Sequence, residues 1–95
     1  MSEATSGLTA RDVVVIGRVQ GVFFRDTCRA EAREAGVAGW VTNEPDGSVR
    51  ARFEGPPEAV ERLVAWAHDG PRGADVDRVA AREVPPEGLT GFEVR

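Results

Sequence analysis

The stretch DVVVIGRVQGVFFRDTCRAEAREA, residues 12–35, places a strand, a glycine-broken loop and a helix end to end. Val13, Val14, Val15 and Ile16 are β-branched side chains in an unbroken row, and such a run suits a strand covered on at least one face. Gly17 and Gly21 bracket Arg18, Val19 and Gln20 and interrupt it. From Phe24 to Ala35, alanines and alternating charges predict a helix, with Asp26 and Arg29 spaced as an i,i+3 pair. Gly36 supplies the residue that most readily turns left-handed just past a helix end. Phe24, Cys28, Ala32 and Ala35 fall on one face, and most are small enough to let the helix pack closely on a sheet.

The rest of the chain extends this unit. Val37 to Asn43 is a second β-prone stretch. Glu44-Pro45-Asp46-Gly47 is a turn in which proline presets one dihedral and glycine supplies positive φ. Val49, Ala51 and Phe53 then alternate with Arg50, Arg52 and Glu54, which predicts a half-buried strand with one wet face. Gly55-Pro56-Pro57-Glu58 opens a second helix whose apolar face is Val60, Leu63, Val64 and Ala67, and Asp69-Gly70-Pro71 stops it. Val76 to Val84 reads as a strand, but Val76, Val79, Ala81 and Val84 do not keep one parity, so a β-bulge is expected there. Phe92 and Val94 face inward on a short last strand. The order β-α-β-β-α-β with a short extra C-terminal strand predicts an α+β, ferredoxin-like, two-layer sandwich, with two helices on one face of an antiparallel sheet.

Ninety-five residues make one small domain, expected over residues 11–95 after a small, polar, flexible tail at 1–10. With 41% hydrophobic and 29% charged residues the composition is globular. One cysteine excludes an internal disulfide framework and fits a reducing compartment, so a cytoplasmic protein is expected. No apolar run is long enough for a membrane span, and the N-terminus lacks the pattern of a secretory signal. A net charge of −4 argues against an electrostatic grip on nucleic acid or an anionic membrane. No apolar surface stripe is evident, which favours a monomer.

Familiar catalytic sets are missing from the sequence. His68 is the single histidine, so histidine triads and His-rich metal sites have no partners to use. Cys28 falls on the packing face of a helix and reads as core. Two places stand out instead. In GRVQGVFFR, residues 17–25, Arg25 sits in the first turn of a helix, where the macrodipole is already positive. That placement makes sense if an anion binds there, held by loop amides and the guanidinium fork; the alternative is a tight turn with a solvated arginine. Asn43 ends a strand at the hairpin, either bonding its own backbone at the turn entry or presenting an amide to a water or oxyanion.

At these residues the chain resembles the acylphosphatase family. GRVQGVFFR (17–25) looks like its first signature and GWVTNEPDGSVRARFEG (39–55) like its second, in the same order and separation. The resemblance implies a small hydrolase that cleaves the carboxyl–phosphate bond of acylphosphates, releases inorganic phosphate as product and inhibitor, and uses no metal or other cofactor. The family's catalytic arginine falls on Arg25 and its catalytic asparagine on Asn43. Its phosphate cradle of backbone amides falls on Arg18, Val19, Gln20, Gly21 and Val22. Glu44, where many members carry a neutral residue, and Arg95, where many finish with a tyrosine, depart from the pattern. The rival reading is a non-catalytic ferredoxin-like module that binds phosphate, another small molecule or RNA.

Overall fold

A computed structural model gives the fold and describes residues 7–95. The elements run β1 Thr9–Arg18, α1 Phe24–Ala35, β2 Ala38–Asn43, β3 Val49–Gly55, α2 Pro57–Asp69, β4 Asp75–Val84 and β5 Phe92–Val94. The strands form one sheet in the order β4-β1-β3-β2-β5. The first four pair antiparallel; β5 joins the far edge parallel to β2, so the complete sheet is mixed.

Strand alternation sorts the side chains. Val13 and Val15 of β1, Val41 of β2, and Val49, Ala51 and Phe53 of β3 point to one face and are buried there. Phe24, Cys28 and Ala32 of α1 and Val60, Leu63, Val64 and Ala67 of α2 cover that face and complete a single core. All seven lie on the faces read from the sequence. Burying a valine- or leucine-sized side chain is worth about 1.5–3 kcal/mol, so this face is the main stabilising term. Asp12, Arg50 and Arg82 lie on the other face, where Asp12 accepts from Arg50 Nη2 at 2.9 Å and Nε at 3.1 Å. That hydrogen-bonded guanidinium holds the Asp12 carboxyl below its usual range, despite an opposing contribution from desolvation.

Two details differ from the reading of the sequence, and a third agrees with it. Within the expected tail, residues 1–6 lie outside the described residues. Thr9 and Ala10 belong to β1: Ala10 is fully buried between Glu54 of β3 and Val84 of β4, so the strand starts before the expected boundary. Glu54, expected on the wet face, is buried, because the chain after β4 folds over it and donates the backbone N–H groups of Glu87, Gly88 and Leu89 to its carboxylate at 2.9, 2.7 and 3.1 Å. The expected bulge in β4 is present. Ile16 pairs with Arg78 but Gly17 with Val76, leaving Asp77 as the extra residue and returning Val76 to the inward face with Val79 and Ala81. Gly17 permits this approach, since a Cβ there would stand 2.2 Å from the Asp75 carbonyl oxygen.

Candidate active site

β1 ends at Arg18 and α1 starts at Phe24, so the glycine-containing loop spans five residues at one end of the sheet. Val19 anchors it by burying its side chain in the core. Gln20 ties it to the β2–β3 hairpin: its Nε2 donates to the carbonyls of Glu44 at 2.8 Å and Ser48 at 2.9 Å. Gly21 has φ 76° and Phe23 has φ 62°, with Val22 on the ordinary side between them. Alternating φ signs turn successive N–H groups towards one concavity, the arrangement that binds anions. Among the described residues, the N–H groups from Val19 to Phe23 have no protein acceptor.

A cleft of about 360 Å³ opens beside this loop, lined by Val19, Gly21, Phe23, Phe24, Arg25, Asp26 and Asn43. It brings Arg25 and Asn43 together from the two separate segments singled out in the sequence. Strand parity explains the asparagine: Asn43 shares its face with Val41, the helix side, and lies at the strand end nearest the start of α1. The turn has no need of its amide. The turn is closed by Glu44 N–H to the Ser48 carbonyl at 2.9 Å and by Asp46, whose Oδ1 accepts from Ser48 N–H at 2.9 Å and Oγ at 2.6 Å. These bonds hold the Asp46 carboxyl below its usual range. Among the described residues, the Asn43 side chain makes no hydrogen bond, so the turn-entry role is filled by another residue.

Arg25 Nη1 donates to the Arg95 main-chain oxygen at 3.0 Å, which steadies the guanidinium at the cleft and leaves the remaining N–H donors of its fork. Of the expected cradle, Val19 and Gly21 line the cleft. Arg18 closes β1 opposite Asp75, the Gln20 side chain serves the hairpin, and Val22 packs against the core, so these three would contribute through their backbone alone. Glu44 lies on a separate cavity with Asp12 and Arg50, away from the Arg25 cleft. Cys28 is fully buried, and burial, with Glu31 nearby, pushes its thiol up to about 12, so it is no nucleophile at neutral pH. His68 is exposed on α2 with Nδ1 3.0 Å from the Val64 carbonyl oxygen, outside the cleft.

Phe23 and Asp26 line the cleft without having been read from the sequence as site residues. The signal for Phe23 was the pair Phe23-Phe24, since adjacent residues at a helix start cannot both face the core. Phe24 takes the buried place and Phe23 is left 77% exposed. A left-handed backbone costs a residue with a Cβ about 1–2 kcal/mol.

At Gly21 the requirement is conformational and not spatial, because a Cβ there would meet nothing within 4 Å. Gly21→Val should therefore fold but shift the loop, weakening inhibition by inorganic phosphate about tenfold, the equivalent of ~1.4 kcal/mol. Gly21→Asn, which tolerates left-handed φ, should recover most of that affinity. Unchanged phosphate inhibition in a folded Gly21→Val protein would remove the loop from the anion site.

Comparison with known proteins bears on the family. The family model described as Acylphosphatase matches residues 11–94. An acylphosphatase of a Nocardioides species is 55% identical over 87 residues, covering 92% of this chain and 88% of that protein. One from Thermococcus kodakarensis is 56% identical over 80 residues, covering 84% of this chain and 88% of its own. The solved structure of an acylphosphatase from Coxiella burnetii superposes with a TM-score of 0.92 at 37% identity, covering 95% of both chains.

Proposed function

The chain belongs to the acylphosphatase family, and from that premise we propose how its cleft works. The activity is hydrolysis of the carboxyl–phosphate bond of acylphosphates to a carboxylate and inorganic phosphate. In the mechanism we infer, Arg25 and the backbone amides of residues 18–22 hold the phosphoryl oxygens while Asn43 positions the attacking water. The observation that carries this reading is the shared cleft. Arg25 and Asn43 come from different segments, line one cavity, and Asn43 keeps its amide free of the turn.

An acylphosphate already has a good leaving group, so the reaction needs placement and charge stabilisation more than a strong base. The Arg25 fork and the loop amides oppose the charge on the phosphoryl oxygens, within the positive field at the start of α1. The Asn43 carbonyl oxygen accepts a hydrogen bond from the water and turns a lone pair towards phosphorus. The bond from water oxygen to phosphorus forms as the bond from phosphorus to the carboxylate oxygen breaks, and the carboxylate departs with the electron pair. An amide is too weakly basic to keep the proton, which passes to a phosphate oxygen.

No metal is required in this scheme. Its support is the chemistry of the lining, in which Asp26 is the one carboxylate and there is neither histidine nor cysteine. Hydrolysis of acetyl phosphate by the purified protein should survive exhaustive chelation unchanged. Loss of activity on chelation, with recovery on adding Mg²⁺ or Zn²⁺, would overturn this part. Absence of any hydrolysis by the folded protein would instead favour a binding module. We place the enzyme in the cytoplasm as a monomer without a nucleic-acid partner. The unpaired buried Cys28 and the net charge of −4 support that placement. No helix among the described residues is long and apolar enough to cross a membrane.

A further inference from the structure

Phe23 violates three local rules at once. It is the one non-glycine residue with positive φ among those described. It occupies the N-cap of α1, where serine, threonine, asparagine, aspartate or glycine are preferred, and it makes no capping bond. It also holds a phenyl ring 77% exposed to water while every other phenylalanine is buried. Asparagine or glycine would meet the backbone requirement at this position without exposing a ring, so the fold gives no reason for the aromatic residue. Strain and exposure of this kind gather at binding sites, and this ring borders the cleft that holds Arg25 and Asn43.

The cleft is also larger than its anion. The cleft volume of about 360 Å³ falls in the range of roughly 300–1,000 Å³ that small organic ligands occupy, more than the five heavy atoms of a phosphate need. The leaving acyl group needs the remaining room, and Phe23, with Val19 and Phe24, gives the lining its apolar part.

We propose that Phe23 is a specificity-determining residue whose exposed ring stacks on the acyl group, so that the enzyme favours acylphosphates with planar aromatic acyl groups over those with a short aliphatic one. This rests on the acylphosphatase reading above. Phosphate recognition stays with Arg25 and the loop, and Phe23 discriminates by what is attached. An aromatic pair contributes about 0.5–1.5 kcal/mol beyond area burial, so close to tenfold in kcat/KM is available.

The test compares benzoyl phosphate with acetyl phosphate as substrates of the wild-type enzyme, Phe23→Gly and Phe23→Asn. Both replacements tolerate the left-handed backbone, so thermal midpoints should match or exceed that of the wild type. The expected result is a fall of about tenfold in the benzoyl-to-acetyl ratio of kcat/KM in both variants, with inhibition by inorganic phosphate retained. An unchanged ratio, or an equal loss on both substrates, would overturn the assignment of Phe23 while leaving the acylphosphatase reading intact. Failure of the wild-type enzyme to hydrolyse either substrate would instead remove the reading on which the proposal rests.

Discussion

Arg25→Ala is expected to cut kcat/KM for an acylphosphate by between about 100-fold and several thousand-fold and to abolish inhibition by inorganic phosphate in the same step. One guanidinium serves both states, because the phosphoryl oxygens are bound before and during transfer. Losing a charge-assisted, two-pronged contact in a partly dry cleft removes about 3–5 kcal/mol of transition-state binding. Lysine should not restore it, since a point charge lacks the planar fork. Folding is little affected, because among the described residues the side chain's one hydrogen bond is the exposed contact with the Arg95 oxygen, worth about 1 kcal/mol. A folded Arg25→Ala enzyme that keeps more than a tenth of wild-type kcat/KM would mean that the phosphoryl group is held elsewhere.

Asn43→Ala should lower kcat at least about 100-fold, a barrier increase of ~2.7 kcal/mol, through loss of water placement. The stability cost should be small, because the hairpin is closed by Glu44, Asp46 and Ser48 without the Asn43 amide. Asn43→Asp should do no better, since its charge would repel the phosphoryl oxygens. Steady-state kinetics and thermal unfolding on the same preparations separate a chemical loss from a structural one. A kcat within tenfold of wild type would return Asn43 to the role of an ordinary strand-end residue.

The legible parts of the fold were those set by local rules. The helix of residues 24–35 follows from its local composition, and the inward face of the second helix from spacing. The bulge in β4 showed itself as a break in parity and is the physical consequence of Asp77 having no partner on β1. What local rules missed depended on distant segments. Glu54 alternates like a solvent residue and becomes buried only because the chain some thirty residues later donates three N–H groups to it. The parallel pairing of β5 cannot be read from three residues, because parallel and antiparallel edges need the same alternation. For the site, the misplaced charge of Arg25 was visible in the sequence, whereas Asn43 was open there between two roles, and only the structure shows Asp46 closing the turn without its amide. Gln20 was read as part of the cradle for its backbone; its side chain holds the two site-bearing segments at a fixed separation. That bond has no local signature, because its acceptors are carbonyls more than twenty residues away.

The central claim is a division of labour, with Arg25 and its loop holding the phosphoryl group and Asn43 placing the water. It is tested most directly by measuring, on one sample of Asn43→Ala, both the dissociation constant of inorganic phosphate and the single-turnover rate of acylphosphate hydrolysis. The account predicts phosphate affinity within about threefold of wild type and a single-turnover rate at least about 100-fold lower. A rate that falls only in proportion to lost phosphate affinity would contradict it, because binding and water placement would then belong to the same group.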